Sequence, residues 1–353
     1  MKIKSFFSFL NPRNVVTVRS QVILIALSSL FCAKLFYDAA TGFTSTDPRP
    51  EFKILTPESV REFLGSSVGH KVTVGMHIEN FQEFDLRNGN FTVDAIVWFK
   101  FNPSILSLET IEKFSFEKGK IDKKSKPKTK LVNGRMLARY DVRLNFTTNL
   151  NYRLFPFNDH RIFITLVNKH VSPGEMVFES YESDLSLSKN MTIAGWEKEG
   201  HAVETGYTEA LLDRHDQTSK VFQPIAIFSV DFNRTGTRQA FILLLPIFVV
   251  LFLSFISLLL VFDYGARQGL STGNIGALLG YKFVIEGAAP KVGYSMLTDH
   301  IFNVFLVIAF FIFVINIIFQ KKEKHFARGV ILILLHLTLA STIYYLVKFW
   351  MAV

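Results

Sequence analysis

Hydrophobic and polar positions divide the chain into regions with different periods. From Gln239 onward, long apolar stretches alternate with short links: Gln239–Phe262, Gly269–Glu286, Ile301–Phe319 and Val330–Val347. The first carries no charge and is longer than the roughly 20 apolar residues a bilayer crossing needs. The links are short enough to force four helices to run up and down against one another. Between residues 47 and 237 the period is that of strands. Val72–Ile78 and Phe91–Phe101 alternate, and the Asn-Gly pair inside Leu86–Asn90 marks a tight hairpin between them. Further strands are expected over Arg135–Phe146, His160–Val167, Met176–Glu182 and Ile225–Phe232, after a short amphipathic helix over Glu58–Leu64. Strands at regular spacing with turn residues between them predict an antiparallel sandwich. Helices and strands do not alternate, so a Rossmann-like enzyme is not expected.

A further apolar run, Val22–Tyr37, precedes the strands. Its uninterrupted core before Lys34 is short enough for a signal peptide. The long basic leader, the lack of a small-x-small cleavage site and Phe31 standing before Cys32 favour a retained signal anchor. The expected organisation is residues 1–46 as cytoplasmic leader and anchor or signal peptide, 47–237 as the β-sandwich, and 238–353 as a four-helix transmembrane domain. One cysteine excludes an intramolecular disulfide.

Charge changes the picture by its placement. A net charge of +9 is compatible with a nucleic-acid partner, but the basic residues cluster beside apolar runs. Lys2, Lys4, Arg13 and Arg19 precede the first run, and Lys321, Lys322, Lys324 and Arg328 sit between the last two. An excess of Lys and Arg marks the cytoplasmic side. The expectation is a multi-pass protein of the cell membrane (the inner membrane in a bacterium), with the β region outside and no nucleic-acid partner. Seven lysines between Lys118 and Lys130 read as a solvated loop or hairpin tip. Asn90, Asn145, Asn190 and Asn233 open Asn-x-Thr triplets, which are glycosylation acceptors only in a eukaryotic secretory pathway. No His-Glu-x-x-His, Gly-x-Ser-x-Gly or phosphate-binding glycine loop occurs, and the histidines lack metal-ligand spacing, so no enzyme, metal or cofactor is expected.

Asn151–His160 (NYRLFPFNDH) places an aromatic-Pro-aromatic turn just before a strand. It resembles the Phe-Pro-Phe-Asp loop of pentameric ligand-gated ion channels, the Cys-loop receptor superfamily. Val72–Phe101 is similar to that family's first two strands, and Ala194-Gly-Trp196 to the strand after its binding loop. Leu244-Leu-Pro246 resembles its first span; Ala266–Leu270 and Pro290–Tyr294 resemble the ends of its second. Thr148 and Ile162 stand where animal members carry the loop cysteines, which implies a cysteine-free, prokaryote-like member. The resemblance covers roughly Asp47 to Val353.

That resemblance implies a homo-pentamer in a lipid bilayer, with the second span lining a pore. Gly269, Gly273, Gly276, Gly280 and Gly287 then face the axis, with Phe283 as an apolar constriction. Leu270, Ala277, Leu278 and Val284 face the other helices. A glycine stripe has a rival reading, because small residues at helical spacing also let membrane helices approach closely. Arg267 would form a positive ring at the cytoplasmic mouth, favouring anions, or serve as a positive-inside anchor. Lys282 lies near enough to the outer end to snorkel outward, and Asn274 is expected in an interhelical hydrogen bond. The gating interface implied is Phe155, Pro156, Phe157, Asn158, Asp159, Arg238, Pro290 and Tyr294; Asn158 departs from the family's Asp. An unidentified small-molecule ligand is expected between adjacent sandwiches, with Trp98, Phe178, Glu179, Tyr181 and Tyr207 as the candidate contacts, although core packing is the default for each aromatic. A non-conducting membrane sensor or assembly protein with the same fold is the alternative.

Overall fold

The structure, a computed structural model, describes residues 17–41, 43, 45–54, 56, 69–212, 220–235, 238–260, 263–319 and 325–351. The expected helix over Glu58–Leu64, and the basic residues Lys2, Lys4, Arg13, Lys321, Lys322 and Lys324, lie outside them. The chain divides into two compact units. One comprises Met1–Thr44, Tyr152–Asn158 and Gly236–Val353; the other comprises Ser45–Asn151 and Asp159–Thr235.

The second unit holds two sheets. The larger contains β1 (His70–Asp85), β2 (Asn90–Phe101), β4 (Gly119–Lys124), β5 (Lys128–Val132), β6 (Arg135–Thr147), β8 (Met176–Glu179) and β9 (Leu185–Leu187). Its path runs β4-β6-β2-β1-β8, with β5 paired to β6 and β9 to β1. The smaller has the order β10 (Trp196–Leu211), β11 (Lys220–Arg234), β7 (His160–Asn168) and β3 (Phe114–Phe116). A one-turn helix, α2 (Leu108–Glu112), follows β2. The β1–β2 hairpin closes at Asp85↔Asn90, with Gly89 at φ +68°, the left-handed geometry for which its Asn-Gly pair is suited.

Along β2 every second residue from Phe91 to Phe101 is buried. Those side chains join Ile162, Ile164, Leu166, Phe228 and Phe232 of the smaller sheet in one apolar cluster. Phe81, Phe84, Phe91 and Phe232 meet edge to face within it. Each buried Phe contributes about 1.5–3 kcal/mol relative to exposure, which explains how the unit coheres without disulfides.

The lysine-rich segment is not an open loop: it forms β4 and β5 beside β6. Exposed lysines on edge strands keep them from pairing with other chains. Lys124 is the exception. Its Nζ lies 4.2 Å from the Phe114 ring centroid and reaches the Glu112 carbonyl. Burial lowers its pKa from the usual lysine value.

The first unit contains α1 (Val18–Thr41), α3 (Arg238–Ser257), α4 (Tyr264–Ala288), α5 (Leu297–Ile318) and α6 (His325–Met351). Among the described residues four helices are long and apolar enough to cross a membrane: Val18–Thr41, Ala240–Ser257, Leu297–Ile318 and Phe326–Phe349. One is N-terminal and three are C-terminal, as a multi-pass membrane protein requires. The second C-terminal stretch is helical as expected, yet α4 is not in this set. Its glycines and Arg267, Gln268, Asn274, Lys282 and Glu286 dilute the apolar character. The unit's core is apolar, with Leu251, Phe255, Phe305, Ile312, Leu339 and Ile343 buried together.

Candidate functional site

Helix α4 has two opposite faces. Arg267, Ser271, Asn274, Leu278 and Ile285 are buried; at 3.6 residues per turn they lie on one side. Gly269, Gly273, Gly276, Gly280 and Gly287 lie on the other, and a Cβ built on any of them meets nothing within 4 Å. Phe283, on the glycine side, is 75 % exposed. Among the described residues the glycines therefore seat no other helix, and the close-packing reading finds no support within one chain.

Other side chains of α4 have distinct surroundings within the chain. Leu278 does pack inward, but Ala277 and Val284 are exposed and Leu270 is half-buried. These three fall on a flank of the wheel, about a quarter-turn from the packing face. Arg267 is only 1 % exposed and points into the bundle, where Nη2 donates to the Phe319 carbonyl at 3.4 Å. It presents no charge to the glycine face. Lys282 reaches toward the C-terminal end of α4, where Nζ donates to Asp299 Oδ1 at 2.6 Å and lies 3.7 Å from Glu286. Asn274 is buried, but its Nδ2 has no partner among the described residues.

Two further contacts fix this helix. Pro246 interrupts the hydrogen-bond ladder of α3 because it has no N–H to offer Ile242. Tyr281 of α4 supplies the missing donor, its hydroxyl 2.9 Å from the Ile242 carbonyl. Asp299 caps the start of α5 by accepting from the Met296 N–H at 2.9 Å while it holds Lys282.

The Tyr152–Asn158 loop grips the link between α4 and α5. Tyr294 Oη accepts from the Tyr152 N–H at 2.8 Å. The carbonyls of Arg153 and Phe155 accept from the N–H groups of Leu297 and Thr298, at 2.8 and 3.3 Å. The first N–H groups of a helix have no partner within it, so the loop serves as the cap of α5. The Phe155–Pro156 peptide is cis, and Phe157 stacks on Phe36 of α1 at 5.4 Å. Tyr294 therefore touches the loop, Pro290 is buried, and Arg238 is exposed. Asp159, in the strand unit, accepts from the Arg234 N–H at 3.1 Å.

The binding-residue candidates do not converge. Phe178 is a core residue of the larger sheet, packed near Phe99. Trp98 lies on the opposite face of that sheet, its indole covering Gly75, where a Cβ would stand 2.2 Å from Cζ2. Glu179 is paired with Lys71 at 2.9 Å, which holds its carboxyl below the usual range. Tyr181 is exposed. Tyr207 belongs to β10 in the smaller sheet and is 3 % exposed, bonded backbone to backbone with Lys53. The strand alternation separates Trp98 from Phe178, and the linker over Phe52 and Lys53 covers Tyr207. Among the described residues these candidates form no aromatic box within one chain.

Two features escape sequence inspection. Asp47 accepts from the N–H groups of Asn151 and Arg161, at 2.7 and 2.8 Å, and from His160 Nδ1 at 3.1 Å. It thereby pins both stems of the Tyr152–Asn158 excursion. Apart from Ser45, whose hydroxyl donates to it at 2.9 Å, its partners lie more than a hundred residues away. The second is a buried polar contact of α1 with α6. Ser28 Oγ and His336 Nδ1 are hydrogen-bonded at 2.8 Å, and Gln21 Oε1 lies 3.4 Å from Nε2. The imidazole packs edge-on against Phe255 at 4.7 Å. Polar groups among apolar spans are costly unless paired, so this pairing fixes the depth of α1 beside α6. No protein-family profile matches the chain, and no curated protein matches it significantly.

Proposed function

We propose that the chain is one subunit of a pentameric ligand-gated ion channel, with α4 lining the pore and the strand unit forming an extracellular sandwich. The observation that carries this reading is the uncovered glycine face of α4. A helix held by two apolar spans, α3 and α5, needs no apolar character on a face that meets water, and α4 is the least apolar of the four C-terminal helices. Phe283 on that face is suited to gate by excluding water. The loop capping α5 supports the coupling step. It leaves and re-enters the strand unit within seven residues, so a rearrangement there pulls on the α4–α5 link. A ligand favouring the open arrangement would shift a pre-existing equilibrium.

In this reading the β region lies outside the cell membrane. Because Arg267 is turned inward, the reading carries no ion preference. The ligand site in this reading lies between two adjacent subunits. Native mass spectrometry in mild detergent tests the assembly: five copies are expected. A stable monomer, dimer or other ring removes the five-fold pore and favours a non-conducting membrane sensor of the same fold.

A further inference from the structure

Arginines near membrane ends ordinarily extend into water and headgroups. Arg267 does the opposite. It is buried in the first turn of α4, with its guanidinium 5.3 Å from the Tyr264 ring. Arg328, near the start of α6, is also buried, and its Nη2 donates to the same Phe319 carbonyl at 3.3 Å. Two guanidinium groups therefore converge on one oxygen at the C-terminus of α5, both through long bonds. Among the described residues Arg267 forms no ion pair, and its Nε and Nη1 are buried without partners. The adjacent Gln268 has a third buried donor, Nε2, also without a partner.

Every unmet group in this cluster is a donor, and the first turn of a helix adds the positive end of its dipole. Burying an unpaired charge is unfavourable unless a counter-charge accompanies it. An anion with several acceptor oxygens matches the donor set, and a guanidinium fork suits a phosphate. The cluster sits where one membrane-spanning helix ends and another begins, the depth of lipid phosphates. The segment joining α5 to α6 adds Lys321, Lys322 and Lys324 against Glu323 in sequence, and juxtamembrane basic residues attract anionic lipid.

We propose that Arg267, Gln268 and Arg328 form a site for the phosphate headgroup of an anionic phospholipid at this end of the helical unit. The site is independent of conduction and rests only on the membrane character of the helices. Lipid binding would tie the start of α4 to the end of α5 and the start of α6.

The test is native mass spectrometry of the full chain with phosphatidylglycerol, phosphatidylcholine or inorganic phosphate added. The parent is expected to retain phosphatidylglycerol in preference to phosphatidylcholine. Arg267→Gln should weaken that retention about tenfold and Arg267→Lys by a smaller factor, as loss of a charge-assisted, forked donor implies. Gln268→Leu leaves both arginines in place and should weaken it severalfold, giving a readout if the Arg267 variants do not fold. Equal retention of both lipids by the parent, or unchanged phosphatidylglycerol binding in the folded variants, overturns the proposal. Displacement of the lipid by millimolar inorganic phosphate would assign the site to a soluble anion and overturn the lipid assignment.

Discussion

The Tyr281 hydroxyl donates to the Ile242 carbonyl, the acceptor that Pro246 leaves without its helical partner. A proline in one helix is thus compensated by a hydroxyl from the next. Tyr281→Phe should destabilise the protein by about 1–2 kcal/mol, since it strands an acceptor in apolar surroundings. Pro246→Ala restores an N–H to α3, so the same change in that background should have a smaller effect. Thermal melting of the four proteins in one detergent gives the coupling; additive losses would mean that the hydroxyl does not compensate the proline.

Gly276→Leu should leave the melting temperature of the folded subunit within a degree or two. Among the described residues nothing outside the helix's own backbone lies within 4 Å of the added Cβ, and the replacement favours helix by about 1 kcal/mol. In bilayer recordings it should reduce current, and Phe283→Ala should raise resting current. Unchanged currents in both variants would exclude this face as the conduction path.

The buried Ser28–His336 pair predicts that α1 remains part of the mature protein. Intact mass of protein purified from membranes should include residues 17–41. Ser28→Ala leaves His336 short of a buried partner and should cost about 1–3 kcal/mol. A mature mass lacking this segment would show that the α1–α6 contact is not part of the working protein.

Glu117 offers a pH test in the strand unit. Burial raises its pKa from the usual carboxyl value, against the weaker pull of Lys169 and Lys118. The folded state therefore binds its proton more tightly than the unfolded chain does. Stability linked to this group is present below the ordinary carboxyl pKa of about 4.3 and is lost as pH rises through the raised value. Glu117→Gln should raise the melting temperature at pH 7 relative to the parent, with the gain shrinking toward pH 4. A gain independent of pH would place its origin elsewhere.

Asp94 has the opposite sign. Its bidentate pair with Arg143, at 2.6 and 2.9 Å, lowers its pKa. Its contribution is present above the ordinary Asp value of about 3.9 and lost as pH falls through the lowered one. Asp94→Asn should therefore destabilise at pH 7 and approach the parent in strong acid, in melts run alongside those for Glu117.

Local periodicity made much of the fold legible. Alternation in β1 and β2 and the Asn-Gly pair between them specify a hairpin, because only one register buries Phe91, Val93 and Val97 together. The apolar runs specify α3, α5 and α6 for the same reason, since each hides its own hydrogen bonds. Strand β10 was not legible over its length. Its sequence, WEKEGHAVETGYTEAL, carries few inward apolar residues, and its pairing with β11 sustains it.

The candidate site was legible only in part. The aromatic-Pro-aromatic loop and Tyr294 stand out as residues, and the glycine spacing marks one face of α4. Their chemistry was decided in three dimensions. Arg267 turns inward because its helix presents that side to the bundle, and Lys282 stays because Asp299 begins the next helix beside it. Asp47 gathers three donors from segments far along the chain. The sequence alone determined the long helices and the alternating strands β1 and β2, because hydrogen-bond period and burial act over neighbouring residues. Only the tertiary structure decided which polar groups meet, because a buried charge takes its partner from whatever the packing brings within about 3 Å.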